Sequence, residues 1–439
     1  MKDSEFKNIY KLYNPRLIKK DDYELIERLH FSFESFNKIR HSQAKKKVLT
    51  KEEALKDVES FLKLLEYCYS GYDYYKTMIN FESIINNIID YINKSKKITN
   101  YKLAKVIFEK LSIDLLDGHF QIYACKHSFC FYKPYYAYVT SIIVEEFDQK
   151  NFIVVKGNRK INKGSIISKD EILDKVLPTF PNNDKKRYFV GIISNQKISN
   201  IVINNLRFKT HIIKSNFSNS KRKKYNCRLE EYDSYNLYYN NTYLCKEDNI
   251  NIIQHFKNIG LKCRNKSINI WDIRGNMGGN SIYPKNYILG LNSYANWRCH
   301  FASINGIVFG NKQNKKTYEI IEAKEYEYDN ATYDGTLYVL INKNVASSGE
   351  SAVAYARSCK NAILVGSATA GVGMFGDVRL YQLENSKIII QLPYKVFYDE
   401  DFKEGKGYIP DYWIDSKKPI KELMRYLNMK KIKMEESNE

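Results

Sequence analysis

Hydrophobic positions in the first part of the chain recur with the spacing of α-helices. Thr50 and Glu53 have the spacing of a capping box, and apolar residues then recur at every third or fourth position. The apolar face of this predicted helix comprises Leu55, Val58, Phe61, Leu62 and Leu65. Similar stripes over residues 81–92 and 103–111 predict two further helices. The pattern therefore predicts a helical N-terminal region, residues 1–128.

Shorter apolar runs replace this pattern in the next part of the chain. Runs at 137–144, 152–156 and 188–193 have the length and β-branched content of strands, and glycines separate them. One short helical segment, near residues 169–176, interrupts them. Residues 129–245 are therefore predicted to form a small β-rich module.

Alternating strand and helix patterns begin after residue 246 and continue to about residue 414. Residues 337–341 form an apolar run, residues 351–359 are rich in alanine, and residues 362–366 form a second apolar run. A strand, helix and strand so closely spaced predict a parallel crossover. We therefore predict an α/β core over residues 246–420, followed by a basic C-terminal tail over residues 421–439.

Composition narrows the class of protein. The chain has 439 residues and 44% hydrophobic content, which is enough for two or three domains with cores of their own. Its formal charge of +20 is spread along the whole chain, so it predicts no nucleic-acid partner. No apolar run approaches the ~20 residues of a membrane span, and none at the N-terminus resembles a secretion signal, so we expect a cytoplasmic protein.

The eight cysteines do not form a short-spaced framework, which also favours a reducing compartment. Cys125, His127 and Cys130 are residue types that bind zinc. No second Cys/His pair follows at the spacing of a zinc finger, and free thiols in a β-segment are the preferred interpretation. We predict neither a metal nor an organic cofactor.

Two turns in the α/β region have the composition of catalytic loops. Ser347 lies at the turn between a predicted strand and a predicted helix, where free backbone N–H groups are available. Gly278 and Gly279 follow another predicted strand and leave backbone N–H groups unobstructed, as stabilisation of an oxyanion requires. Asp272 and Arg274 are expected to hold this second loop by an ion pair.

Four motifs in a fixed order now resemble the C-terminal-processing (tail-specific) serine peptidases. They are Asp-Ile-Arg-Gly-Asn-Met-Gly-Gly, Ala-Ser-Ser-Gly-Glu, Val-Gly-Ser-Ala-Thr-Ala-Gly and Glu-Gly-Lys-Gly-Tyr-Ile-Pro-Asp, within residues 265–415. The resemblance implies that Ser347 is the nucleophile and that the N–H groups of Gly278 and Ser348 form the oxyanion hole. It also implies a crotonase-like (ClpP-like) spiral, and that the β-rich module is a degenerate PDZ-like domain or a cap.

One position departs from the Ser-Lys members of this family. Val372 stands where they carry a lysine, and valine cannot accept a proton. The resemblance then favours the tricorn-like arrangement, in which a histidine is the base and a glutamate orients it. His119, in an Asp-Gly turn that follows the third helix, and Glu404 occupy those positions. For Glu404 a solvated acidic loop is the alternative.

These residues predict a serine peptidase that cleaves peptides or protein C-termini through an acyl-enzyme. A hydroxyl nucleophile, a neutral imidazole and an orienting carboxylate are the three groups that such a mechanism needs. Partners other than substrate are not predicted, and a homo-oligomer is left open. The alternative is an inactive relative of the family that binds peptides. It stays open because Val372 replaces the lysine that serves as the base in the Ser-Lys members.

Overall fold

The computed structural model describes residues 16–42, 45–182, 185–216, 227–244, 250–308 and 315–436. The chain forms two compact units, and each contains several segments of the sequence. Unit 1 comprises Met1–Lys133, Arg298–Lys324 and Val372–Gly405, and unit 2 comprises the remaining residues.

Helices and strands are numbered here in chain order over the described residues. The α-helices are α1 (Lys20–Leu29), α2 (Phe33–Ser42), α3 (Lys51–Cys68), α4 (Tyr72–Tyr75), α5 (Phe81–Lys94), α6 (Asn100–Leu111), α7 (Lys169–Ile172), α8 (Ile250–Cys263), α9 (Ile282–Asn292), α10 (Ser348–Ala356) and α11 (Pro419–Glu436). The strands are β1 (Arg16–Leu17), β2 (His30–Phe31), β3 (Val48–Leu49), β4 (Ile98–Thr99), β5 (Asp117–Ala124), β6 (His127–Phe131), β7 (Tyr136–Glu146), β8 (Asn151–Lys156), β9 (Ile166–Ser168), β10 (Val176–Asn182), β11 (Lys185–Ser194), β12 (Asn200–Ile203), β13 (Leu206–Lys209), β14 (His211–Ile212), β15 (Cys227–Glu231), β16 (Asn236–Asn240), β17 (Ile268–Asp272), β18 (His300–Val308), β19 (Lys315–Ile321), β20 (Thr336–Ile341), β21 (Ala362–Gly366), β22 (Phe375–Gln382), β23 (Ile389–Tyr398) and β24 (Tyr412–Trp413).

Helices α3, α5 and α6 of unit 1 confirm the three helices that the apolar stripes predicted. Helix α3 begins with the predicted capping box, in which the Glu53 N–H donates to Thr50 Oγ1 and the Thr50 N–H donates to Glu53 Oε2. Its apolar face contributes Val58, Phe61 and Leu65 to a core shared with α5 and α6. Packing of these amphipathic faces, more than helix propensity, stabilises such helices.

An antiparallel sheet of eight strands completes unit 1. Its main order is β1-β19-β18-β23-β22-β2, and β5 pairs with both β23 and β6. Strands β18, β19, β22 and β23 come from a part of the sequence that was expected to continue the alternation of strands and helices. That expectation was wrong for them, because they pair with one another in antiparallel register rather than through helical crossovers.

The β-rich part of unit 2 confirms the predicted strands near residues 137, 152 and 188. Strands β10, β11, β7, β8 and β9 form an antiparallel sheet in that order, and β14 adds to β7. Residues such as Ile142, Val144 and Val154 are fully buried between this sheet and the β12–β13 hairpin. The alternation of buried and exposed positions along β8 and β12 is typical of sheets with one covered face.

A second sheet in unit 2 carries the predicted parallel crossover. Its order is β15-β16-β17-β20-β21-β24. Strands β15 and β16 are antiparallel, and the other four neighbouring pairs are parallel. Helix α10 connects β20 to β21, as the sequence predicted. Helix α11 is not a free basic tail, because Leu423, Tyr426 and Leu427 are buried in the core of this sheet.

The division into four consecutive domains stays a prediction. Each of the two units contains segments from more than one of those predicted domains. Among the described helices, none combines the length and apolar character needed to cross a membrane.

Candidate active site

Ser347 lies at a strained turn between β20 and α10. Its φ and ψ angles are 52° and −125°, in a region that residues other than glycine rarely adopt. The turn is held by the Val345 N–H, which donates to the Asn342 carbonyl, and by the Glu350 N–H, which donates to the Ser347 carbonyl. A sharp strand-to-helix turn of this kind exposes a serine hydroxyl in many hydrolases. Ser347 is partly exposed.

The predicted oxyanion loop is in contact with this turn. Gly278 has a φ of +104°, and a Cβ atom at this position would lie 2.8 Å from Ser347 Cβ and 2.9 Å from Ser348 N. The Ser348 hydroxyl donates to the Gly279 carbonyl at 2.6 Å. Three of the predicted site residues, Gly278, Ser347 and Ser348, therefore lie together.

A buried asparagine that the sequence analysis overlooked organises the same loop. The Asn276 Oδ1 atom accepts the Gly278 N–H at 3.0 Å, and the Asn276 carbonyl accepts the Ala346 N–H at 3.0 Å. Its amide nitrogen donates to Asn240 Oδ1 at 2.7 Å. The Gly278 N–H is thus already engaged with Asn276, while the Ser348 N–H opens helix α10. Whether both N–H groups serve an oxyanion stays a prediction.

The predicted ion pair beside this loop is confirmed. Arg274 donates from Nε and Nη2 to the two carboxylate oxygens of Asp272, at 2.8 and 2.6 Å. Two parallel hydrogen bonds of this kind fix the orientation of both side chains. The pair holds the end of β17, where the glycine-rich loop begins.

His119 lies in unit 1 on strand β5, and the expectation that it follows an Asp-Gly turn was wrong. The Asp117 carboxylate accepts the N–H groups of His119 and Phe120 at 2.8 and 3.0 Å, and Gln391 Nε2 donates to the His119 carbonyl. The strand is irregular here, since its pairing with β6 shifts register between Asp117 and Gln121. The side-chain hydrogen bonds satisfy backbone groups in this irregular stretch. The backbone of His119 is therefore held from both of its polar groups.

The surroundings of His119 keep its imidazole neutral. Burial lowers the pKa of His119 to about 4, and the charge of Asp377 acts in the opposite direction. Asp377 itself forms an ion pair with Lys395 and has a positive φ of 45°. A neutral imidazole can accept a proton at neutral pH, as a general base must.

Glu404 is buried in unit 1 rather than solvated, which removes the alternative of an open acidic loop. Its Oε1 atom accepts the Gly118 N–H at 3.0 Å. Its Oε2 atom accepts the N–H groups of Gly373 and Met374 at 3.3 and 2.9 Å. The carboxylate thus joins the strand that bears His119 to the segment that follows Val372.

Val372 contacts the same strand. A Cβ atom at Gly118 would lie 2.6 Å from Val372 Cγ1, so the valine side chain packs directly on the glycine. The side chain at the family's lysine position therefore covers the residue that precedes His119. The sequence showed only that position 372 is a valine. The contact explains why residue 118, which packs against it, is a glycine.

Unit 1 contains a second buried carboxylate, that of Asp117. Asp117 is fully buried and accepts the Tyr69 hydroxyl at 2.9 Å. Burial raises the pKa of Asp117 to about 7, while its hydrogen bonds act in the opposite direction. Burial raises the pKa values of Tyr69, Tyr75 and Cys130, and the charges of Asp117 and Glu404 raise them further.

Asp117→Asn is expected to change how the stability of the protein depends on pH. The pKa of Asp117 is raised by folding, so its stabilising contribution is full below about pH 3.8 and is lost as the pH rises toward 7. The melting temperature of the variant should therefore gain on the wild type by at least ~2 °C between about pH 5 and pH 7, and the gain should level off above that. Thermal unfolding across this range measures it. The exposed Asp114→Asn serves as control, and a gain that does not vary with pH would contradict the expectation.

One family model and several solved structures are similar to this chain. Residues 246–414 match the model of peptidase family S41. No curated protein matches the chain. Among solved structures, mature CPAF complexed with lactacystin is similar at 12% identity, with 87% of this chain and 97% of that chain covered and a TM-score of 0.48.

Two further solved structures are similar to the chain. The photosystem II D1 C-terminal processing protease has 13% identity, 83% of this chain and 93% of that chain covered, and a TM-score of 0.38. The tricorn protease has 14% identity, 83% of this chain and 34% of that chain covered, and a TM-score of 0.37. At this identity the assignment rests on the family match over residues 246–414.

The match to a peptidase family identifies the class of protein as a serine peptidase. Within this class, residues 246–414 are similar to peptidase family S41. The resemblance found in the sequence is thereby confirmed over these residues.

Proposed function

We propose that this serine peptidase works through an acyl-enzyme on Ser347, with His119 as the general base and Glu404 as the residue that orients it. The observation that carries the proposal is the conformation of Ser347, whose positive φ is maintained against the Gly278 loop. A residue remains in such a strained conformation only when the surrounding structure enforces it, and this strain is common at catalytic positions.

In the acylation step, Ser347 Oγ attacks the carbonyl carbon of the scissile peptide bond. His119 takes the hydroxyl proton, and the carbonyl π electrons move to the oxygen. When the tetrahedral intermediate collapses, the C–N bond breaks and the imidazolium returns the proton to the leaving amine. The ester of Ser347 with the substrate acyl group remains.

Deacylation repeats these steps with water as the nucleophile. His119 takes a proton from the water, hydroxide adds to the ester carbon, and the bond to Ser347 Oγ breaks as the proton returns to it. The Ser348 N–H is the proposed donor to the oxyanion of both steps, and its place at the start of α10 supports this role. The Gly278 N–H can contribute only by sharing or leaving its bond to Asn276.

The contacts of Val372 support the histidine-dependent, tricorn-like mechanism over the Ser-Lys mechanism. Val372 packs on Gly118, and Glu404 accepts the N–H of that same glycine, so both bear on the strand that presents His119. Burial keeps His119 neutral, which is the state that a base requires. We further propose a preference for protein C-termini, a crotonase-like spiral, and a β-rich module that serves as a divergent PDZ-like domain or a cap.

A fluorophosphonate probe tests this assignment, because it reacts covalently with activated serines. The wild-type chain should be labelled, Ser347→Ala should not, and His119→Ala should be labelled at least ~100-fold more slowly, since general-base catalysis contributes about that much. Labelling rates are followed by mass spectrometry of the intact protein.

Two matched controls separate these effects from loss of folding. Ser234→Ala changes an exposed serine of unit 2, and His127→Ala changes an exposed histidine on the strand β6 that pairs with β5. Both should be labelled at the wild-type rate. A wild-type protein that stays unlabelled while folded would favour the inactive, peptide-binding alternative.

A further inference from the structure

A buried lysine lies four residues before the nucleophile, and the proposed mechanism does not use it. Lys343 is 8% exposed, although lysine is almost never buried without partners. Its Nζ atom donates to the carbonyl oxygens of Thr369 and Ala370 at 2.8 and 2.9 Å. It also lies 6.0 Å from the centre of the Tyr136 ring. These partners stabilise a positive charge at this position.

The segment that Lys343 binds is held from the other side of the nucleophile as well. Glu350, three residues after Ser347, is buried, and its Oε1 atom accepts the Thr369 hydroxyl and the Gly371 N–H, both at 2.6 Å. Between these contacts, the Ala370 N–H donates to the Val345 carbonyl at 2.8 Å. Residues 369–371 are therefore bound to the turn of Ser347 before and after the serine.

The strain at Ser347 explains why such bracing is needed. A positive φ is unfavourable for a residue other than glycine, so the turn would relax unless its two ends were fixed. Lys343 fixes the first end by its ammonium group, and Glu350 fixes the second end by its carboxylate. Because both groups bind the backbone of the same short segment, the separation of the two ends is set by that segment.

We propose that Lys343 is a positioning residue for the nucleophile, acting through its two bonds to residues 369 and 370. This inference rests on the proposed role of Ser347. It adds a buried cation to the residues that hold the Ser347 turn in place. Lys343 is not the base that Val372 replaces. Two carbonyl oxygens and the Tyr136 ring stabilise the ammonium form of its side chain, and an ammonium group has no lone pair with which to accept a proton.

The test compares Lys343→Met, Lys343→Arg and the control Lys360→Met, which changes an exposed lysine of the same unit. Methionine keeps the length and apolar stem of the side chain but removes the donors and the charge. Labelling of Lys343→Met by the fluorophosphonate should be about 10- to 100-fold slower than that of the wild type, because small displacements of a nucleophile have effects of this size.

Two readouts distinguish positioning from catalysis by Lys343 itself. Arginine keeps the charge and the donors but cannot act as a base, so Lys343→Arg should recover at least about threefold of the rate lost in Lys343→Met. The pH midpoint of labelling should be the same in Lys343→Met and the wild type. Circular dichroism and melting temperature establish that each variant is folded.

Several results would overturn the inference. They are a Lys343→Met rate within about twofold of the Lys360→Met rate, a pH midpoint that disappears in Lys343→Met, and a folded Lys343→Arg protein that is no faster than Lys343→Met. If Lys343→Met does not fold, Lys343→Arg is compared with the wild type instead. A labelled Lys343→Arg protein with the wild-type pH midpoint supports positioning, and loss of labelling in folded Lys343→Arg overturns it. A wild-type chain without labelling would instead reject the proposed function, so the two failures are distinguishable.

Discussion

Gly278→Ala is expected to lower the rate of serine labelling by at least about 1,000-fold, at the upper end of what an oxyanion-hole residue contributes. Two causes act together. The φ of +104° is a conformation that alanine resists, and the added Cβ would lie 2.8 Å from Ser347 Cβ and 2.9 Å from Ser348 N. These neighbours are the proposed nucleophile and the backbone nitrogen of a proposed oxyanion donor, so neither can move away without cost to the proposed catalysis.

Gly164→Ala is the matched control for this variant. Gly164 also lies in unit 2 and has a φ of +92°, but no atom lies within 4 Å of its Cβ position. It therefore has the backbone strain of a positive φ without the contact with the nucleophile. Labelling rates and melting temperatures of both variants are compared. If Gly278→Ala were labelled nearly as fast as Gly164→Ala, the loop would not take part in catalysis.

Local patterns in the sequence predicted the elements that depend on neighbours in the chain. The capping box of Thr50 and Glu53, the crossover around Ser347 and the Asp272–Arg274 pair all formed as expected. In each of them the interacting groups are close in sequence or follow a short periodicity. Composition and spacing are then sufficient, because chain connectivity already brings the groups together.

Elements that depend on distant partners were not predictable in this way. Strand β18 pairs with β23, about ninety residues later, and an apolar run does not reveal which strand it will join. The Asp-Gly pair before His119 indicated a turn, yet it begins a strand, since Glu404 accepts the N–H of Gly118 from a position almost three hundred residues away. The family motif, rather than the local pattern, identified both residues.

Buried polar residues were the main omission within the site itself. Lys343 follows an apolar strand and would be expected in solvent, because lysine is mostly exposed in folded proteins. Its burial depends on carbonyl groups of residues 369 and 370, whose direction the sequence does not specify. Asn276 lies within a recognised motif, but the motif does not specify that its amide oxygen accepts the Gly278 N–H. Such groups are found by following the hydrogen bonds of each buried polar atom.

Glu404→Gln is expected to have the second large effect, a decrease in labelling rate of about 100- to 10,000-fold. Loss of the charge of the orienting carboxylate in a Ser-His-Asp triad has an effect near the upper figure. Here an amide also cannot replace the hydrogen bonds of the carboxylate. Both carboxylate oxygens accept backbone N–H groups, from Gly118 on one side and from Gly373 and Met374 on the other. Whichever way glutamine is oriented, its NH2 group faces a donor.

The position of Glu404 makes the effect both catalytic and structural, and the measurements must separate the two. Loss of the buried acceptor should lower the melting temperature, while loss of the charge should lower the labelling rate of protein that remains folded. The control is Glu400→Gln, a nearby exposed carboxylate that pairs with Arg298. If Glu404→Gln lowered the melting temperature but was labelled as fast as Glu400→Gln, Glu404 would only hold the strand of His119. A slow rate in folded protein at temperatures well below its melting point would instead give the carboxylate a part in the chemistry, because the structural bonds alone do not require the negative charge.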